Sequence, residues 1–387
     1  MIDIADLQRR NAPLRAFVDF DREARAGDGP LADLTAGIKS NIAVRGLPWT
    51  GGMGHRRGVV AERDAAVVAR LREAGAAILG TLNMDEAALG AVTDNAFFGR
   101  THNPLRLGYT AGGSSGGSGA AVAAGLCDFA LGTDTLGSVR IPAAYCGIYG
   151  LKPTLGSVDT EGIVFLDGRL DTIGPLARDV ETLARTWQII GRDREEGEDE
   201  FSRLVTLRDL AAVECQPVVI AGYQRVVAAL ELDSIQINLP ANPTAIRLAA
   251  LAGAGQALIR DLREHRDAAS EELKTILQLV EQLPENEALL NATRRAMRDA
   301  LRDDGVLLMP TTPHVAFAHG TRPPASQADF TGLANVAGLP ALALPSGQDP
   351  TGLPASVQLV GSAGSERRLI ALARQLDAKL AAYSAPA

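Results

Sequence analysis

The chain has 387 residues, 46% of them hydrophobic, enough for one large core or two. Its formal net charge of −8 argues against nucleic acid or an anionic membrane as a partner, though not against one small anion in a local basic pocket. Cys127, Cys146 and Cys215 lack CxxC spacing, the first six residues are acidic with no apolar core, and no run of about 18 apolar residues occurs; a cytoplasmic protein without signal peptide or membrane span is expected.

Along the chain, Glu62–Gly75 repeats apolar residues at helical spacing (Ala66, Val67, Leu71, Ala74), with Gly75 placed as a C-cap glycine. Ala76–Gly80 reads as a buried strand, and a helix leading directly into a buried strand suggests a parallel α/β sheet. Ser115–Gly125 is small and apolar, a tightly packed helix after a glycine loop. Phe129–Gly132 is another short strand, feeding a turn over Asp134–Ser138, and Asp179–Ile190 reads as an outer helix. Gly191–Glu200 is charged and reads as a solvated connector. From there to about Asp304 the pattern is mostly helical and amphipathic, clearest over Ile246–His265 and Ser270–Leu283. Val306–Pro310, Pro340–Pro345 and Ala355–Val360 return to strand, and Ser365–Tyr383 closes as a helix.

The chemistry sits in two glycine-rich runs, Gly112–Ser118 and Gly132–Ala144, and in Lys39 within Ala36–Ile42. A serine hydroxyl is a poor nucleophile unless a base takes its proton, and the base on offer is a lysine. A Gly-Ser run alone suits a flexible linker. Here it abuts an Ala/Val-rich helix and is followed by Thr-Asp-x-x-Gly-Ser-x-Arg, which no linker requires. Lys39, flanked by Gly37, Ile38, Asn41 and Ile42, reads as a buried strand end. Asp134 and Arg140 read as an ion pair bracing the serine turn, with a substrate carboxylate as the other use of Arg140. Ser115 reads as a helix N-cap. The Gly-x-Ser-x-Gly elbow of α/β-hydrolases needs a strand before it and a later histidine, and Pro104–Ala111 is a poor strand. The phosphate loop Gly-x-x-x-x-Gly-Lys-Ser/Thr is absent, and the five histidines show no convincing ligand spacing.

These runs resemble the amidase signature family. So do Gly80–Glu86, Cys146–Thr154, Leu170–Arg178, Asn335–Ala341 and Gly352–Gly361. The resemblance covers roughly 36–190 and 305–375. It implies an α/β fold, a mixed, largely parallel central sheet covered by helices on both faces. It further implies one domain over 1–387, with a mostly helical variable insertion at about 200–304. By position it makes Ser138 the acyl-forming nucleophile, Ser114 the bridging serine after a cis Gly113–Ser114 peptide, and Lys39 the terminal base. The backbone N–H groups of Thr135, Leu136, Gly137 and Ser138 would form the oxyanion hole, and Arg140 and Gly113 would border the substrate. Lys39 must be neutral to accept a proton, which burial favours.

Two positions depart from the family pattern. Leu136 stands where glycine is common and is expected to shape the pocket wall. Ser40 replaces a common aspartate beside the base. The implied activity is hydrolysis of a small amide or ureido compound without cofactor or metal, with a homodimer left open. The alternative is the glutamine-hydrolysing A-type component of a tRNA-dependent amidotransferase complex. The Asn83–Glu86 and Gly112–Gly119 segments are similar to bacterial amidases of small ureido compounds such as carboxybiuret and allophanate.

Overall fold

A computed structural model describes residues 2–192, 200–302 and 304–380. Eleven strands form the central sheet. Along the chain they are β1 (Phe17–Phe20), β2 (Thr35–Lys39), β3 (Ala77–Leu82), β4 (Phe129–Asp134), β5 (Tyr149–Lys152) and β6 (Thr172–Ala177). There follow β7 (Arg203–Leu207), β8 (Asp233–Ile237), β9 (Gly305–Pro310), β10 (Ala341–Gln348) and β11 (Pro354–Val360). Their order across the sheet is β1-β3-β2-β4-β6-β5-β10-β11-β9-β7-β8.

The sheet is mixed, but parallel pairing is more restricted than expected. It occupies two blocks, β3-β2-β4 and β9-β7-β8, while the other six of the ten junctions are antiparallel. The β10–β11 connection shows why: a short turn carrying Pro350 and Gly352 can join only antiparallel neighbours.

Side-chain alternation clothes both faces. Phe129 and Leu131 of β4 join one core with Leu183, Ala184 and Trp187 of the helix Val180–Ile190. Ala130, between them, joins a second core with Ala120, Ala121, Val122 and Ala123 of the helix Gly116–Ala123. Local signals act as the sequence suggests. Gly75 follows the helix Ala66–Glu73 with φ +92°, a region that favours glycine. Asp179 accepts the N–H of Thr182, and Ser270 accepts that of Leu273, each capping the helix that follows.

Between 200 and 302 the expected helices appear as Pro217–Leu230, Pro243–Asp261, Glu271–Glu281 and Glu287–Leu301. The segment also contributes two strands that extend the sheet. β8 is hard to read in the sequence because only Ile237 of its five residues is buried, so hydrophobic alternation is absent. A further difference is a strand at Arg106–Thr110, which pairs with His102–Asn103 outside the central sheet. The charged connector falls largely at 193–199, outside the described residues. The last helix is described over Glu366–Leu380, and the rest of its expected span lies beyond them. Among the described residues no helix is long and apolar enough to cross a membrane.

What positions the site is the parallel block. β2 and β4 are neighbours, so their carboxyl ends emerge side by side, one ending in Lys39 and the other in Asp134. Ligand sites in α/β sheets gather outside such strand ends.

Candidate active site

Lys39 has no exposed surface. Its Nζ lies 2.8 Å from Ser114 Oγ and 2.8 Å from Thr133 Oγ1. Thr133 also accepts the Asn41 side-chain amide at 3.1 Å, which fixes the hydroxyl beside the lysine. Burial lowers the lysine pKa to about 7, against the opposing pull of Asp171, Asp85 and Asp134. A usable fraction of free amine is therefore present at neutral pH.

Ser114 is fully buried and follows a cis Gly113–Ser114 peptide. Gly113 can carry no side chain: a Cβ there would stand 2.0 Å from Asp85 Oδ2 and 2.6 Å from the Val92 nitrogen. Asp85 itself accepts the N–H groups of Val92 (3.2 Å) and Thr93 (2.9 Å). Thr93 Oγ1 in turn donates to Gly112 O and accepts from Gly116 N–H, so one aspartate and one threonine clamp the glycine loop. Ser115 occupies the N-cap position but does not cap with its side chain. Its Oγ donates to Thr133 O at 3.2 Å.

Ser138 lies in the turn between β4 and the helix Arg140–Cys146, and at 7% exposed it is the only one of the three groups open to a substrate. The Ser115 N–H donates to Ser138 O at 3.2 Å, docking the two serine loops on each other. The turn is built on Asp134. Its carboxylate accepts Gly137 N–H (2.8 Å), Val139 N–H (3.1 Å), two Arg140 nitrogens (3.1 and 2.9 Å) and Asn335 Nδ2 (2.9 Å). Burial alone would raise the Asp134 pKa; the charge and hydrogen bonds of Arg140 overcome this and hold it at about 2.

Two expectations are corrected by this geometry. Arg140 is fully buried, and its Nη atoms also donate to Thr331 O, Gln358 Oε1 and Asn335 Oδ1. All five of its N–H groups are thus engaged, and none is left for a substrate carboxylate. The N–H of Gly137 is held by Asp134, whereas those of Leu136 and Ser138 have no acceptor among the described residues. The oxyanion donors expected at Thr135–Ser138 therefore reduce by one. The left-handed conformation falls on Gly137 (φ +134°) and not on Leu136; a Cβ on Gly137 would meet Thr331 Oγ1 at 2.3 Å. The Leu136 side chain packs against the core cluster that includes Ile246, Phe330 and Leu333. Ser40, next to the base in sequence, is buried as well.

Sequence reasoning misses Thr133, Asp85, Thr93 and Asp171. Asp171 accepts Thr135 Oγ1 at 2.5 Å and the N–H groups of Leu166 and Asp167, and so anchors the start of the nucleophile turn. Burial raises Asp171 to about 6 and Asp85 to about 7. The only sequence signal for these residues is their place inside or beside the runs that carry the resemblance.

A family model described as Amidase matches residues 12–238 and 252–370. The A-type component of glutamyl-tRNA(Gln) amidotransferase from Methanospirillum hungatei is 32% identical, over 92% of this chain and 95% of that protein. Among solved structures, a protein from a vestigial complex that bears on the origins of an s-triazine catabolic enzyme matches with a TM-score of 0.85 at 28% identity, covering 97% of this chain and 94% of that one. A peptide amidase bound to chymostatin matches with a TM-score of 0.81 at 27% identity, covering 99% and 95%. Fold, sequence and the Lys39–Ser114 contact agree: the chain belongs to the amidase signature family.

Proposed function

We propose that the chain cleaves a carbon–nitrogen amide bond through an acyl-enzyme on Ser138. Neutral Lys39 takes the Ser114 proton as Ser114 takes that of Ser138, and Ser138 Oγ attacks the amide carbon. The carbonyl oxygen gains negative charge, and the N–H groups of Thr135, Leu136 and Ser138, none with an acceptor among the described residues, are the donors left to receive it. The relay then returns the proton to the leaving nitrogen, the C–N bond breaks, and ammonia or an amine departs. Water, deprotonated by the same relay, releases the acid. The observation that carries this reading is the dry lysine 2.8 Å from Ser114 Oγ with its pKa near 7.

Two settings suit this chemistry. The first is hydrolysis of a small amide or ureido compound by the chain alone, which its likeness to solved amidases supports. The second is release of ammonia from glutamine as the A-type component of an amidotransferase, with protein partners. The curated relatives favour this second setting, and the chain spans 95% of the Methanospirillum protein. Ammonia release by the purified chain from glutamine and from simple primary amides, with Ser138→Ala as control, separates the two. Turnover of simple amides by the chain alone supports the first. Glutamine hydrolysis that requires added partner proteins supports the second. Equal activity in Ser138→Ala would refute both.

A further inference from the structure

The segment at 200–302 supplies none of the relay groups, yet one of its residues reaches the turn beside them. Glu86 follows Asp85 and is 7% exposed. Its carboxylate accepts the Ser270 hydroxyl, and both of its oxygens accept the Ser270 N–H at 3.3 Å. Ser270 Oγ accepts the N–H of Leu273 in turn, capping the helix Glu271–Glu281. Among the described residues Ser270 is the only hydrogen-bond donor to this carboxylate, which burial would otherwise disfavour. The turn that Glu86 opens is strained. Ala87 (φ +52°) and Ala88 (φ +60°) are both left-handed, a conformation that alanine keeps only where its surroundings hold it. Both alanines share a core cluster with Leu258, Leu273 and Leu277 of the inserted helices. Two runs of backbone bonds lead from the turn to the relay. Ala87 N–H donates to Gly51 O at 2.9 Å, and Gly51 N–H donates to Ser40 O at 3.0 Å, one residue beyond Lys39. Asp85, whose carbonyl accepts Ala88 N–H at 3.1 Å, donates its own N–H to Ser114 O at 3.2 Å.

We propose that the Glu86–Ser270 contact is a clasp through which the inserted segment holds Lys39 and Ser114 in register, with Glu86 as a positioning residue. Its effect on rate rests on the amide-cleaving reading of the Ser138 site. Lys39 ends strand β2 and Ser114 sits in the glycine loop, so no local rule of secondary structure sets their separation. The turn at 85–88 is bonded to the neighbourhood of both. Without Ser270 the Glu86 carboxylate would be buried without a donor. The two alanines would then relax from their left-handed state, and Gly51 and Asp85 would move with them. Proton transfer needs donor and acceptor within hydrogen-bond reach, and a misplacement of about 1 Å can cost about 100-fold in rate.

The test applies hydrogen exchange read by mass spectrometry and fluorophosphonate labelling of Ser138 to the same variants of the full chain. Glu86→Ala and Ser270→Ala should each raise exchange at least ~10-fold in peptides covering 37–42 and 112–118, leave β10 and β11 unchanged, and slow labelling at least ~10-fold. The double variant should be no worse than the worse single one, because either change opens the same clasp. Ser270→Thr keeps the hydroxyl and should restore wild-type values. On any amide that the chain turns over, the loss should fall on kcat and leave KM in place. Unchanged exchange at 37–42 and 112–118, fully additive losses in the double variant, or a Ser270→Thr as impaired as Ser270→Ala would each overturn the proposal. If exchange responds as expected but wild type is not labelled at Ser138, the clasp stands and the amide-cleaving reading fails. Circular dichroism melting confirms that each variant is folded. Should Glu86→Ala unfold, Ser270→Ala, which leaves the carboxylate one N–H donor, carries the test with Ser270→Thr as its control.

Discussion

Replacing Lys39 by methionine should abolish activity and yet stabilise the protein at neutral pH. The folded-state pKa is lowered from 10.5 to about 7, first by burial. The folded chain therefore binds fewer protons than the unfolded chain between those values, and stability must rise with pH across that window. Seen from the other side, a buried lysine destabilises the wild type increasingly as pH falls from 10.5, and the penalty levels off below 7. At about 1.4 kcal/mol per pKa unit, the penalty at pH 7 is of order 4 kcal/mol. Methionine removes it but also forfeits the hydrogen bonds to Ser114 and Thr133, about 1 kcal/mol each. The net gain is about 2 kcal/mol at pH 7, and its sign should reverse by pH 10. Melting temperatures of both proteins measured at pH 7, 8, 9 and 10 give the result. A difference in melting temperature that does not change with pH would show that Lys39 keeps an ordinary pKa in the folded state. Its role as a neutral base would then have no support.

Ser138→Ala should remove turnover by a factor on the order of 10⁴ or more without lowering the melting temperature, and a fluorophosphonate probe that labels wild type at Ser138 should leave the variant unlabelled. Lys39→Arg should be as inactive as Lys39→Met, because guanidinium does not lose its proton; wild-type kcat/KM should rise with pH through a midpoint near 7, as the amine is released. Arg140→Ala should act on folding before chemistry. It strands the Asp134 carboxylate without its counter-ion and should cost about 3–5 kcal/mol, read as a large drop in melting temperature, whereas a stable variant impaired only in substrate binding would restore the contact that its burial denies it.

The catalytic trio is legible because its chemistry imposes residue types that nothing structural demands together. Two serines in glycine runs and a lysine between apolar neighbours have no common structural reason to occur. The glycines are legible for a different cause: Gly113 and Gly137 each face a neighbour that would collide with a Cβ. What stays hidden depends on contacts distant in sequence. Thr133 acquires its place only because β2 and β4 run side by side, which puts its hydroxyl next to Lys39, 94 positions away. Arg140 misleads for the same reason. Two residues beyond Ser138 it is close enough in sequence to reach a ligand, but Asn335 and Gln358 arrive from 195 and 218 positions along the chain to occupy its donors. The edge strand β8 is hidden by its exposure, since a strand open to solvent needs no apolar alternation.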